Sequence, residues 1–256
     1  MSKKTDTARR AESLVAAERA AQIRRQHEDR ERRRRNLLVS LGLVAALVLV
    51  TGVFAALQAS RDTTGEAATA PAGAVDEYAV PLGPADAPVT VEVYEDFLCP
   101  FCGEYEAATS RMLQEHAAAG DVHVQYRVVS FLDRASSDDY STRSANALAV
   151  VLDQAGPEVA VAFHDLLFEN QPAEGGAGLS DDHLVALAGE AGADESAVRG
   201  PIESLAFGQW VKNATEAASE RGINGTPTVL VDGEPLEGAT IDELAAQTEA
   251  AIQAAR

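Results

Sequence analysis

The run "LLVSLGLVAALVLVTGVFAAL", from Leu37 to Leu57, is 21 residues long and carries no charge. As a helix rising about 1.5 Å per residue it reaches roughly 30 Å, the depth of a bilayer's hydrocarbon core, so a transmembrane helix is predicted over 37–57. Residues 1–36 hold 12 Lys and Arg against 6 Asp and Glu, whereas the chain from Leu37 onward holds 9 against 34. Basic flanks stay on the cytoplasmic side, which puts the N-terminus in the cytoplasm and the larger C-terminal part outside, on a single-pass anchor in the cell membrane. A cleaved signal peptide is the weaker alternative. The segment before the run is long, the run exceeds the usual apolar length of about 7–15 residues, and Val53 with Ala55 is a poor cleavage signal.

Charge narrows the function of the outer part. Its surplus of 25 acidic groups disfavours nucleic acid as a partner. Residues 1–36 form a cytoplasmic basic segment in which 8–35 suit a solvated helix with too few apolar positions for a core face. Residues 58–76 are small and polar with Pro and Gly, which predicts a flexible tether. The folded domain is expected over 77–256, long enough to bury a core without disulfide staples.

Inside that domain "PVTVEVYEDF" alternates Val89, Val91 and Val93 with polar residues and predicts a strand, followed by a helix from Cys99 or Pro100 to Ala119 closed by Gly120. "VHVQYRVVSF" over 122–131 predicts a second strand, so the three elements make a parallel crossover unit. From about 137 to 222 the pattern turns helical. Tyr140, Ala147, Leu148, Val151 and Leu152 share one face, and Val159, Phe163, Leu166 and Leu167 a second. Leu184, Leu187 and Ala188 share a third, and a last stretch from Asp194 to Arg221 is expected to divide at Gly200-Pro201. Trp210 and Phe207, at helical spacing among Ile202, Leu205 and Val211, read as core. A strand from Thr228 to Val231, an Asp232-Gly233 turn, a short strand and a helix opened by the Thr240/Glu243 capping box complete the chain.

Cys99 and Cys102 are the only cysteines, separated by two residues in "CPFC". Structural zinc needs four ligands, and the five histidines, His27, His116, His123, His164 and His183, contain no pair at zinc-finger spacing, so no metal site is expected. A disulfide across two intervening residues removes little chain entropy, which makes a purely structural staple weak. Redox chemistry fits better. At the first turn of a helix Cys99 meets unpaired N–H groups and the positive end of the dipole, which stabilise its thiolate; Cys102, one turn on, is placed to resolve. Pro100 suits the first helical position, where its missing N–H is harmless.

"APVTVEVYEDFLCPFC", the helical stretch and "GINGTPTVLVDGEPLEG" before a terminal helix together resemble the DsbA-like thiol-disulfide oxidoreductases, as a membrane-anchored bacterial member, across about residues 77–253. The resemblance implies an α/β thioredoxin fold with an all-helical insertion, here preceded by one N-terminal transmembrane helix. It implies that Pro227 is a cis-proline beside the cysteines, that the backbone of Thr226 pairs with an extended substrate, and that no bound cofactor is needed. Exported proteins with cysteine thiols are the implied substrates and a quinone-linked membrane partner the implied reoxidant. Two departures stand out. Many members carry an acid six positions before the first cysteine, where this chain has Val93, which leaves water or Glu95 for proton transfer to Cys102. Phe101 replaces a histidine found in the best-known oxidase, and threonine before the cis-proline also occurs in reductases and isomerases. Both leave the direction open between an oxidase, the favoured reading, and a reductase or isomerase; a non-catalytic tethered binding protein is the reading from another class. Phe97 and Phe101, flanking the cysteines, are taken as an apolar substrate-contact surface. His116 and His123 have no partner identifiable from sequence.

Overall fold

A computed structural model describes residues 68–255. The transmembrane helix expected over 37–57 and the basic segment lie outside these, and among the described residues no helix is long and apolar enough to cross a membrane. The end of the expected tether is part of the domain. Ala72 donates its N–H to Asp153 Oδ1 at 2.8 Å, and Asp76 Oδ2 accepts from Gln125 at 2.6 Å.

Five strands form one sheet in the order β1-β3-β2-β4-β5, with β1 Val80–Leu82, β2 Val89–Glu95, β3 Val122–Val128, β4 Thr228–Val231 and β5 Glu234–Pro235. β2 and β3 run parallel, joined by helix α1, Pro100–Ala119, as the crossover pattern requires; the other pairings are antiparallel. β1 is too short to show a period in the sequence. Both edge strands contain a proline, Pro81 and Pro235, which a central strand would not tolerate. The strand expected over 122–131 ends at Val128.

Alternation on β2 sorts two cores. Val89, Val91 and Val93 join the large core with Leu113 of α1 and Ile252 of α7, Ile241–Ala255. Tyr94 points the other way, into a smaller cluster with Val129, Ala218, Ile223 and Leu230. Glu92, on the Tyr94 side, accepts from Arg221 at 2.7 Å and pairs with Arg127 at 2.7 Å, which is how a buried acid is tolerated there.

The insertion consists of α2 Tyr140–Ala155, α3 Pro157–Glu169, α4 Asp181–Ala191, α5 Glu195–Glu203 and α6 Gly208–Glu220. Helix α2 is buried from Tyr140 through Leu152, on every side and not only on the predicted face. Its Ser and Ala positions admit close neighbours, and its polar groups are bonded, Ser144 Oγ to Tyr140 O at 2.7 Å within the helix and Thr142 Oγ1 to Asp133 Oδ2 at 2.6 Å outside it. The break expected at Gly200-Pro201 comes later. α5 runs through Pro201, and the chain turns at Leu205, whose φ is 52°. Asn146 fixes that turn from inside, accepting from Phe207 N at 2.8 Å and donating to Ile202 O at 3.3 Å. Trp210 is core, its Nε1 donating to Glu77 O at 2.8 Å.

Candidate active site

The turn between β2 and α1 carries the cysteines, and a buried carboxylate shapes it. Asp96 Oδ1 accepts from Leu98 N at 2.9 Å and Ser141 Oγ at 2.6 Å, and Oδ2 accepts from Leu132 N at 2.9 Å. One side chain thereby joins the site turn, the loop after β3 and helix α2. Burial pushes its carboxyl up to about 6, against the pull of those donors. From the insertion, Gln171 donates through Nε2 to Phe97 O at 3.0 Å and Cys99 O at 2.9 Å. It lies so close over Gly103 that a Cβ there would meet Gln171 Oε1 at 2.5 Å.

Cys99 takes the N-cap position with extended backbone, and Pro100 opens the helix. The N–H groups of Cys102 and Gly103 point back at Cys99 O, at 3.0 and 3.2 Å. Cys99 Sγ donates to Thr226 O at 3.3 Å, which brings the loop before β4 against the cysteines; the Thr226–Pro227 peptide bond is cis. Hydrogen bonding from the Cys102 side chain, with smaller help from Thr226 and the backbone of Cys102 and Phe101, outweighs burial and lowers the Cys99 thiol to about 6. Cys102 behaves oppositely. Burial, then the neighbouring Cys99, push its thiol well above the usual range. The two sulfurs are thus unequal by position alone, one a ready thiolate and leaving group, the other a buried thiol.

The two flanking aromatics have different fates. Phe101 is 59% exposed at the first helical turn. Phe97 corrects the expectation of a substrate contact: it is fully buried, its ring 4.9 Å from that of Phe168 and 5.6 Å from His164, because the turn held by Asp96 directs it into the core. Glu95 is also buried, and its Oε1 lies 2.5 Å from His164 Nε2. His164, Glu106, Asp96 and Gln171 escaped the sequence reading. For Glu106 a signal existed, since it sits one turn beyond Cys102 on the buried stripe of α1 with Tyr105, Thr109 and Leu113. For Gln171 there was none. His116, without a partner in the sequence reading, lies between Asp121 and Glu249, 3.3 Å from each.

Glu95, Glu106 and His164 bring their ligand-type atoms within 4.8 Å of one another. Donors around a small divalent ion at about 2.1 Å sit about 3 Å apart, so the 2.5 Å between His164 and Glu95 is the spacing of a hydrogen bond and not of two ligands to one metal.

A thioredoxin-fold sheet, an asymmetric C-x-x-C pair at a helix start and a cis-proline beside it define the class of dithiol redox proteins. The chain belongs to the thioredoxin family, whose model matches residues 76–250. It is similar to solved structures from Mycobacterium tuberculosis. One is the reduced disulfide bond oxidoreductase DsbG, 31% identical with a TM-score of 0.58, the match covering 69% of this chain and 91% of that one. Reduced DsbA is 30% identical with a TM-score of 0.57, covering 69% and 96%. These likenesses place the chain among the DsbA-like members. A curated relative from the same organism, the serine/threonine-protein kinase PknE, is 30% identical over 155 residues, 59% of this chain and 27% of the relative. The chain therefore spans about a quarter of the length of the curated relatives it matches.

Proposed function

We propose that this chain is a membrane-tethered, extracytoplasmic thiol-disulfide oxidase that introduces disulfides into exported proteins, with Cys99 and Cys102 as its catalytic pair. A substrate thiolate attacks Cys99 Sγ of the Cys99–Cys102 disulfide and expels the Cys102 sulfur, which leaves a mixed disulfide. A second substrate thiolate then attacks the substrate sulfur of that mixed disulfide and releases the Cys99 thiolate, so that substrate gains a disulfide and the enzyme becomes a dithiol. The lowered Cys99 thiol carries this reading, since a stabilised thiolate is a good leaving group and favours the dithiol form. Pro227 and the Thr226 backbone are assigned to holding the substrate strand, and exposed Phe101 to an apolar contact beside it. Reoxidation is assigned to a quinone-linked membrane partner, and the Leu37–Leu57 run to the anchor that keeps the two in one membrane.

Cells expressing the full-length chain with Cys102→Ala test the assignment. Exported proteins should accumulate as mixed disulfides on Cys99, formed when the Cys99 thiolate attacks their disulfides or when the quinone-linked partner takes the two electrons as it joins Cys99 to their thiols; these adducts should be released by reductant and absent with Cys99→Ala, and a membrane-impermeant maleimide should reach Cys99 in intact cells. No adducts, or a cysteine reached only after lysis, would contradict the oxidase at the outer face. Adducts in the variant together with a Cys99–Cys102 pair found reduced at steady state in the wild-type chain would point to the reductase or isomerase instead.

A further inference from the structure

The loop between α3 and α4 is an arm of the insertion that reaches the cysteines, and it is held along its length. Asn170 N donates to Leu166 O at 3.0 Å as α3 ends. Gly175 N donates to Ala135 O at 2.6 Å and Ser137 N to Gly176 O at 2.9 Å, so the arm pairs with the loop after β3. Arg143 of α2 donates to Ala177 O at 2.7 Å and to Leu179 O at 2.8 Å. Gly178 lies so close on the Tyr140 ring that no Cβ would fit there. An arm fixed at this many points loses little further freedom when the side chain at its start makes a contact.

That side chain is Gln171. Its amide nitrogen has two hydrogens, and both are used, on Phe97 O and Cys99 O. The Phe97–Leu98 peptide is therefore gripped at both ends, its N–H by Asp96 Oδ1 and its carbonyl by Gln171. Cys99 O already accepts the first-turn N–H groups of Cys102 and Gly103, so an unmet carbonyl does not explain this third donor. What the donor changes is charge. Phe97 O and Cys99 O converge on one nitrogen, so their negative ends lie side by side at the residue whose sulfur becomes an anion. The positively polarised amide of Gln171 sits between them, while exposed Phe101 offers a thiolate no side-chain donor.

We propose that Gln171 is a positioning residue for exchange at Cys99: by holding the Phe97 and Cys99 carbonyls it fixes the aim of Cys99 Sγ and offsets two dipoles that would otherwise oppose a thiolate there. This rests on the exchange chemistry assigned above. When the second substrate thiolate attacks the substrate sulfur of the mixed disulfide, a bond forms between the two substrate sulfurs. The bond to Cys99 Sγ breaks, and its electron pair leaves on that sulfur. Gln171 makes Cys99 the better leaving group without touching the sulfur and without moving a proton. The insertion thereby sets the reactivity of a cysteine that belongs to the thioredoxin-like sheet and helix.

The contact can be broken from either side. Gln171→Met keeps the side chain's shape and removes both hydrogens. Gly103→Ala leaves Gln171 in the chain but places a Cβ 2.5 Å from its Oε1, which displaces the flexible amide. A shift common to both variants cannot come from lost stability, because methionine leaves carbonyls short of a donor whereas alanine is a better helix former than glycine. On the reduced full-length chain in detergent, thiolate absorbance at 240 nm should place Cys99 about one unit higher in each, near 7 instead of about 6. Equilibrium with glutathione at about pH 8 should favour the dithiol about tenfold less, a potential about 30 mV lower. The double variant should match Gln171→Met alone. If Gln171→Met loses stability while both variants titrate within about 0.3 units of wild type, Gln171 is a structural tie only and the proposal is wrong. A shift in one variant alone, or one that adds in the double variant, overturns it as well. A wild type that exchanges with neither glutathione nor a dithiol peptide would remove the exchange reading itself, and the assignment with it.

Discussion

The hydrogen bond from the Cys102 side chain is the largest influence lowering the Cys99 thiol, so removing it has a calculable effect. A hydrogen bond to a charged group contributes about 1.5–3 kcal/mol, and one pKa unit corresponds to about 1.4 kcal/mol. Cys102→Ala should therefore raise Cys99 from about 6 to between about 7 and 8. At pH 7 the thiolate fraction would fall from about nine-tenths to between about one-half and one-tenth. Cys102→Ser keeps an O–H donor in the same place and should stay near the wild-type value. Thiolate absorbance at 240 nm against pH, with iodoacetamide alkylation rates as a second readout, measures this directly on the reduced full-length chain. If the alanine and serine variants titrate within about 0.3 units of each other, the helix-start N–H groups and Thr226 lower the thiol by themselves, and the role given to Cys102 is wrong.

Phe97→Ala should destabilise the chain by about 3–5 kcal/mol in urea unfolding, while Phe101→Ala should stay within about 0.5 kcal/mol and instead slow reaction with apolar peptides; equal effects would refute the division between core and surface. Gln171→Ala leaves two site-turn carbonyls without their donor and should cost about 1–2 kcal/mol, which urea unfolding of the reduced chain would register. Glu106 holds its proton in the native chain to about pH 8, whereas the unfolded chain gives it up near 4.5, so this group's contribution to stability is lost as pH rises between those values. Glu106→Gln should gain about 2–4 kcal/mol on wild type between about pH 5 and 8.5, and a difference that shrinks with pH would reverse the sign of the account.

Short-range signals made much of this legible. Pro100 and Gly120 bracket α1 because both act through local backbone geometry, and the period-2 alternation of β2 separates Val93 from Glu92 correctly. What was missed depends on contacts between residues far apart in the chain. Phe97 looks like a surface aromatic until Asp96 is seen to turn the chain inward. Glu106 looks like a solvated acid, and Glu95, taken from the sequence as a proton-transfer candidate, gives no local sign that His164, 69 residues further on, meets its carboxylate. Proline marked a helix boundary but placed it four residues early, since the turn at Leu205 is fixed by Asn146 of α2, which no local pattern announces.

Equilibrium of the full-length chain in detergent with glutathione redox mixtures, read by the fraction of Cys99 and Cys102 bridged, tests the central claim most directly. A chain with a stabilised Cys99 thiolate and an oxidising role should show a potential well above about −200 mV, with a slope against pH that changes near 6 as that thiolate forms. A potential near about −270 mV, as in thioredoxin, would contradict the oxidase and make the chain a reductase.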